Sequence, residues 1–345
     1  MTSSSIAFVD EDLFCVDEPG TRFTICHDRI VGAGAESTLF AVQQQNSDQV
    51  VVAKQRVRVA YKKAADGGRQ PLEAPPEVVL HGALPRHPNI QQVLAWFATK
   101  HHVYVVMPLA EKDLFAAVVE SRVGLRASQC KSIFRDVLEG VACMHAHGWV
   151  HADIKLENVL LFENKRAVLT DFGAAYRVGA PQPRRLKGTV AYAAPETQGF
   201  YKRWTPVGPS TAAMTVGRQS KSSAGGASQH LRAQLSSLQC LPRVPVCSCP
   251  IGVGGSIPPL ELPPPALPLF DAVRADMWTC GVLLLQMMTA APVENGNVAT
   301  ALGYLRRQKR PQAVVDLVHQ LLHHNPLRRP LPDDILVNNT WLARA

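Results

Sequence analysis

The sequence predicts an α+β fold in which short strands come first and helices follow, and three observations carry this. Residues 22–29 alternate apolar and polar side chains, and residues 50–54 and 103–107 are short apolar runs, the pattern of strands. Residues 129–147 instead bring Ile133, Phe134, Val137, Leu138, Val141 and Met144 to one face at helical spacing, and residues 276–285 are apolar all round, as a core helix is. Between these two helices, His151-Ala152-Asp153-Ile154-Lys155-Leu156-Glu157-Asn158 packs an acid, a base and an amide into six positions and runs straight into an apolar strand.

Composition bounds the function class. The chain has 345 residues, 46% of them hydrophobic, which is ample for a core in one large domain or two. The start of the sequence has no cationic segment followed by an apolar run, and the longest apolar stretch, 277–291, is interrupted by Gln286 and too short to span a bilayer. These features predict a soluble intracellular protein, cytoplasmic or nuclear, with no membrane association. The net charge is +8, and residues 202–270 hold six Lys/Arg against one acid, so +5 of it lies there. No helix-turn-helix, zinc-finger or aromatic RNA-binding pattern accompanies the charge, which argues against a nucleic-acid partner. The eight cysteines lack zinc-site spacing and are expected to be free thiols.

Taken in order, the strand at 22–29 leads into Gly32-Ala33-Gly34, a glycine-poor loop in which Ser37 stands where a third glycine would be expected. Glycines let a backbone approach phosphates closely. The strand at 50–54 ends on Lys54, a charge that needs a partner if the strand is buried. Glu77 is the better candidate and Glu73 the alternative: Pro75 and Pro76 favour a short helix beginning at Glu77. Residues 103–107 form the next strand and Pro108-Leu109-Ala110 a connection. After the polar loop, strands at 159–162 and 167–170 deliver Asp171-Phe172-Gly173. The polar loop aims a proton acceptor (Asp153), a cation for phosphate oxygens (Lys155) and a carbonyl for a metal (Asn158) at one place.

Together these segments resemble the eukaryotic protein kinases, in particular the Ser/Thr kinases. The quoted loop matches H-x-D-x-K-x-x-N, Asp171-Phe172-Gly173 matches the metal-binding triplet, and Gly188-Thr189-Val190-Ala191-Tyr192-Ala193-Ala194-Pro195-Glu196 matches the end of their activation segment. The resemblance covers about residues 22–342. It implies a two-lobed protein kinase fold after an N-terminal tail at 1–20, with a small antiparallel β lobe at 21–109 and a larger, mainly helical lobe at 110–345.

The resemblance implies an ATP site built from Val31, Gly32, Gly34, Leu39, Ala53, Lys54, Glu77, Met107, Ala110 and Asp113, with Lys54 and Glu77 at the α/β-phosphates. It assigns Mg²⁺ or Mn²⁺ to Asn158 and Asp171, and catalysis to Asp153, Lys155 and Thr189. Asp276 should brace the loop backbone, and Arg329 should neutralise Glu196. Protein Ser/Thr hydroxyls are the implied acceptors, and oligomeric state is left open. The competing reading is a scaffold that binds partners without turnover, weakened because none of Lys54, Asp153, Asn158 and Asp171 is missing.

One stretch does not fit the resemblance. Joining Tyr201 to Asp271 would restore near-normal kinase spacing, so the 69 residues 202–270 look inserted. They hold 11 of the 26 prolines and no helical or strand period, a composition expected to remain disordered. A proline-rich docking loop, a spacer, and translated non-coding sequence that leaves the chain inactive are the alternatives.

Overall fold

In the computed structural model, residues 13–15, 22–33, 37–44, 51–57, 74–98, 102–179, 188–200, 270–291, 298–308 and 310–343 are described. The first part is a six-stranded antiparallel sheet. Its strands are β1 (Leu13–Cys15), β2 (Arg22–Ala33), β3 (Thr38–Gln44), β4 (Val51–Val57), β5 (Ala95–Ala98) and β6 (His102–Pro108), in the order β1-β2-β3-β4-β6-β5. Side chains alternate across it. Phe40, Val42, Val51, Ala53, Tyr104 and Val106 pack on one face, whereas Val52, Val105 and Met107 form a separate cluster with Val31 and Leu109.

Helix α1 (Pro76–Ala83) follows β4 in sequence. Proline supplies the helical φ at its first position, and the Pro75 carbonyl accepts from the N–H groups of Val78 and Val79. The turn after α1 joins the two parts of the molecule. Leu169 N–H donates to the Asn89 carbonyl and Gln91 N–H to that of Leu169, both at 2.9 Å. Asn89 Nδ2 reaches the Ala167 carbonyl at 2.9 Å.

The second part is mainly helical. After β7 (Lys112–Asp113), α2 (Leu114–Ser121) is capped by Asp113 Oδ1, which accepts from Ala116 N–H at 2.7 Å. Helix α3 (Ala127–Ala146) buries Ile133, Phe134, Val137, Leu138, Val141 and Met144, the face expected from its spacing. Then come β8 (Trp149–Val150), β9 (Val159–Leu161), β10 (Ala167–Leu169) and β11 (Tyr176–Arg177), with β10-β9-β7 and β11-β8 as two small sheets. Helix α4 (Ala272–Thr289) is buried all round. A Cβ on Gly281 would lie 2.8 Å from Leu321 Cβ, so only glycine permits its close approach to α6 (Gln312–Leu321).

After α4 come α5 (Val298–Arg307) and the closing helices α6 and α7 (Pro332–Asn338). Pro311 and Pro332 favour the starts of the last two, and α7 is followed by Asn339, whose side chain accepts from the N–H groups of Trp341 and Leu342. The proposed insertion lies outside the described residues except for Phe270, and there the expectation needs correction. Phe270 is buried with Val150 and Ala272, so it belongs to the packed structure. Tail residues 1–12 and 16–20 also lie outside the described residues.

Among the described residues, Cys130, Cys143 and Cys280 are free thiols, and no helix is long and apolar enough to cross a membrane. Burial pushes the Cys130 thiol up to about 12 and also raises those of Cys143 and Cys280, which favours the protonated thiol at all three.

A buried ion pair ties the 188–200 segment to the C-terminal region. Arg329 is 0% exposed and holds Glu196 through two parallel hydrogen bonds, 2.5 Å to Oε1 and 2.9 Å to Oε2. It also donates to the carbonyls of His323, His324 and Arg274 and lies over the Trp278 ring. Arg329→Met should lower stability by about 3–5 kcal/mol, because it strands Glu196 without a counter-charge. Adding Glu196→Gln should recover part of that loss in chemical denaturation, and an unshifted midpoint in the single variant would refute the role.

Deleting residues 202–269 while keeping Phe270 should leave the thermal melt at or above that of the full chain. Closing a long loop costs on the order of 1–3 kcal/mol more than a short connection. Extending the deletion through Phe270 should remove up to about 3 kcal/mol of packing and melt lower. Equal melts for the two deletions would show that Phe270 does not matter, and a lower melt for the shorter deletion would show that the removed segment is structural.

Candidate active site

The core helix α4 sets the site from beneath. Asp276 is buried, and a buried carboxylate requires donors. It takes them from the loop above: His151 N–H donates to Oδ2 at 2.8 Å and Ala152 N–H to Oδ1 at 2.9 Å, and His145 Nε2 lies 3.0 Å from Oδ2. With its amide held this way, Ala152 adopts a left-handed φ of 61°. The chain therefore turns and presents Asp153.

Asp153 is held by three neighbours. Thr189 N–H donates to Oδ1 at 2.9 Å, Asn158 Nδ2 to Oδ2 at 3.0 Å, and Lys155 Nζ lies 2.9 Å from Oδ2. Lys155 also donates to Thr189 Oγ1 at 2.9 Å, and Asn158 Nδ2 to the Asp153 carbonyl at 2.8 Å. Because Asn158 spends its NH₂ group in these bonds, its carbonyl oxygen is the atom kept for a cation. Gly188 completes the contact at a φ of 118°; a Cβ there would meet the Ala152 carbonyl oxygen at 2.7 Å. Two segments more than 30 residues apart thus close on one carboxylate.

Four charges form a second cluster, linked to the first through Thr170 N–H, which donates to the Asn158 carbonyl one residue before Asp171. Lys54 Nζ donates to Glu77 Oε1 at 2.7 Å and to Asp171 Oδ1 at 2.9 Å, with Lys54 9% and Glu77 3% exposed. Glu77 is therefore the partner of Lys54; the alternative, Glu73, lies outside the described residues. Arg56 adds a second cation, with one guanidinium nitrogen 3.1 Å from Asp171 Oδ1 and 3.4 Å from Glu77 Oε1.

Asp171 itself is left-handed (φ 60°, ψ 72°), at the start of the tight turn Phe172–Ala174. Phe172 is buried against the His151 ring, and His151 Nε2 lies 3.0 Å from the Thr170 carbonyl. Burial works to raise the Asp171 carboxyl. Lys54, Arg56 and His151 outweigh it, and the net shift is downward.

The remaining expected residues are placed as follows. Leu39 pairs with Lys54 across β3 and β4 and Gly32 with Leu39 across β2 and β3, while Gly34 lies outside the described residues. Val31 and Met107 share a cluster on the Lys54 side of the sheet. Ala110 follows β6 and is half-buried, and the Pro108 carbonyl beside it accepts from Gln91 Nε2 at 3.2 Å. The Asp113 carboxylate is engaged as the α2 cap, leaving its other oxygen for a ligand.

Ala53 requires correction. It lies on the opposite face of β4 from Lys54, buried with Phe40 and Val106, because successive strand residues alternate faces. Val52, two positions before Lys54, is the residue on the Lys54 face. Arg56 was missed for the same reason, since stepping by two from Lys54 reaches it directly.

The sequence profile of the protein kinase domain matches residues 26–207, more than half of the chain. The chain belongs to the protein kinase family. Among Ser/Thr kinases similar to it, PLK4 of Drosophila virilis is 25% identical over 181 residues, 51% of this chain and 22% of that one. PLK4 of Nematostella vectensis is 33% identical over 123 residues, 35% and 12% of the two chains. Calcium/calmodulin-dependent protein kinase type 1 of Macrobrachium nipponense is 31% identical over 171 residues, 48% of each. This kinase chain therefore spans less than a quarter of the PLK4 relatives and about half of the third.

The donor set of the kinase site fits a hard divalent cation. Asp171 and Asn158 offer oxygen ligands, and Thr170 N–H donates to the Asn158 carbonyl at 3.0 Å, which keeps the two side chains' backbones together. Among the described residues no group of three or more His, Cys, Asp or Glu could hold a metal, so Asp171 and Asn158 would supply only part of an ion's ligands.

A depressed carboxyl stabilises the fold above its unfolded value, near 4, and the contribution is lost as pH falls through the lower folded value. Asp171→Asn should therefore be less stable than the parent at neutral pH, where it leaves Lys54 and Arg56 short of a counter-charge. The gap should close as pH falls below about 4. Denaturation midpoints across that range measure it, and a gap that stays constant with pH would contradict the assignment.

Proposed function

We propose that this kinase chain transfers the γ-phosphate of ATP to Ser or Thr hydroxyls of proteins, with Mg²⁺ or Mn²⁺ as cofactor. The observation that carries the reading is the hydrogen-bonded set Asp153, Lys155, Asn158 and Thr189 together with the Lys54–Glu77–Asp171 cluster. Lys54, oriented by Glu77, binds α- and β-phosphate oxygens. Asp171 and Asn158 hold the divalent ion, which supplies charge neutralisation for the phosphates. Lys155 binds the γ-phosphate. Val31, Leu39, Val52 and Met107 form the apolar wall for the base, and backbone groups of the Pro108–Ala110 connection read its edge.

Asp153 orients the acceptor hydroxyl and takes its proton as the new oxygen–phosphorus bond forms and the bond to the β-phosphate oxygen breaks, releasing ADP. The work is positioning and electrostatic stabilisation. Thr189 is a positioning residue, fixing both Asp153 and Lys155. Free Ser/Thr-containing proteins are the substrate class this arrangement suits.

Phosphate transfer from labelled ATP to a generic Ser/Thr peptide tests the reading. Asp153→Asn should lower turnover by about 10²–10⁴-fold with little change in ATP affinity, since it removes the proton acceptor and no nucleotide contact. Asp171→Ala should abolish metal-dependent turnover while the chain remains folded. Wild-type turnover in either variant would show that the chemistry lies elsewhere.

A further inference from the structure

The charge cluster contains one cation more than its proposed role requires. Lys54 and Glu77 alone would complete the phosphate-binding pair, leaving the Asp171 carboxylate for a metal ion. Instead Lys54 and Arg56 both contact Asp171 Oδ1, at 2.9 and 3.1 Å, and both approach Glu77 Oε1, at 2.7 and 3.4 Å. Two cations and two carboxylates make a neutral quartet before any ligand arrives.

Arg56 is held in this position by its register. It lies two residues beyond Lys54 on β4, so it shares that face of the sheet. The guanidinium rests against the turn after Asp171: a Cβ built on Gly173 would lie 3.5 Å from one of its nitrogens. Its Nε is buried without a hydrogen-bond partner, as is Glu77 Oε2, so the guanidinium keeps an unused donor inside the site. A guanidinium stays charged at any physiological pH, so only a competing charge can release it.

We propose that Arg56 is a resident cation at the metal-binding carboxylate, taking part of the role of the divalent ion. It holds Asp171 in place in the metal-free protein and lends its positive charge to the binding of nucleotide phosphates. A divalent ion binding this carboxylate does so against the repulsion of the two positive charges held at Oδ1. Nucleotide binding should therefore depend only weakly on divalent metal. This rests on the reading of Asp171 as the metal ligand.

The test is the affinity of the full chain for ADP and ATP by titration calorimetry, once in chelator and once in millimolar Mg²⁺. For the unaltered chain the two dissociation constants should lie within about tenfold of each other. Arg56→Leu should widen the ratio by at least about tenfold, the lower end of what one charge-assisted hydrogen bond contributes, by weakening the metal-free binding. Arg56→Gln, which keeps hydrogen-bond donors but not the charge, should widen it likewise.

A hundredfold or greater metal dependence in the unaltered chain overturns the inference and needs no variant to be folded. So does an unchanged ratio in whichever variant is folded by circular dichroism. If the unaltered chain binds neither nucleotide under either condition, the kinase reading fails together with this one. If nucleotide binds, and Asp171→Ala abolishes the metal effect while the Arg56 variants leave the ratio unchanged, the kinase reading stands and only the role of Arg56 is lost.

Discussion

Asp276 is a carboxylate inside an apolar helix, and the site is arranged around satisfying it. Near the start of α4 this side chain is only 2% exposed, so the donors its charge needs must come from the protein. They are the backbone N–H groups of His151 and Ala152, beside the His145 ring, and the chain that supplies both amides takes the left-handed turn at Ala152. The direction of Asp153 follows from that turn. The 188–196 segment then adapts to it, with Gly188 giving room for the approach and Thr189 bonding to both Asp153 and Lys155. A buried acid, costly by itself, thus specifies the geometry of a loop that has little packing of its own.

The same principle works differently at the other side of the site. Glu77 is buried on a helix of only eight residues, too short to be stable by itself in water, so its pairing with Lys54 is also what docks that helix on the sheet. Asp171 joins the same cluster from the second part of the molecule. Closing the Lys54–Glu77–Asp171 contacts therefore couples sheet, helix and loop electrostatically. Arg56 strengthens that coupling in the absence of a ligand.

Glu196 and Arg329 form the third charged anchor, 133 positions apart in sequence, with the guanidinium surrounded by carbonyls and the Trp278 ring. It fixes the end of the segment whose start contacts Asp153. Its donors are nearly all used, unlike those of Arg56. That difference separates an arginine committed to architecture from one that keeps a buried, unpaired donor beside the site.

Much of the site was legible in sequence because its residues are local: Asp153, Lys155 and Asn158 lie within six positions, and Asp171-Phe172-Gly173 follows one hairpin later. The family and its α+β fold were legible for the same reason, through spaced motifs and the change from strand to helix period. What needed the tertiary structure was facing and depth. Ala53 and Val52 are both small apolar strand residues, and only the register of β4 against β3 and β6 assigns Val52 to the Lys54 face. Phe270 looks like the end of a proline-rich stretch until Val150, 120 positions away, packs on it. The extra cation at Arg56 is likewise just a polar residue in a string; its meaning comes from folding two carboxylates, 21 and 115 residues away, onto the same side of one strand. Composition and spacing determined which chemical groups this chain carries, whereas long-range packing, which no local pattern encodes, decided which of them share a charge.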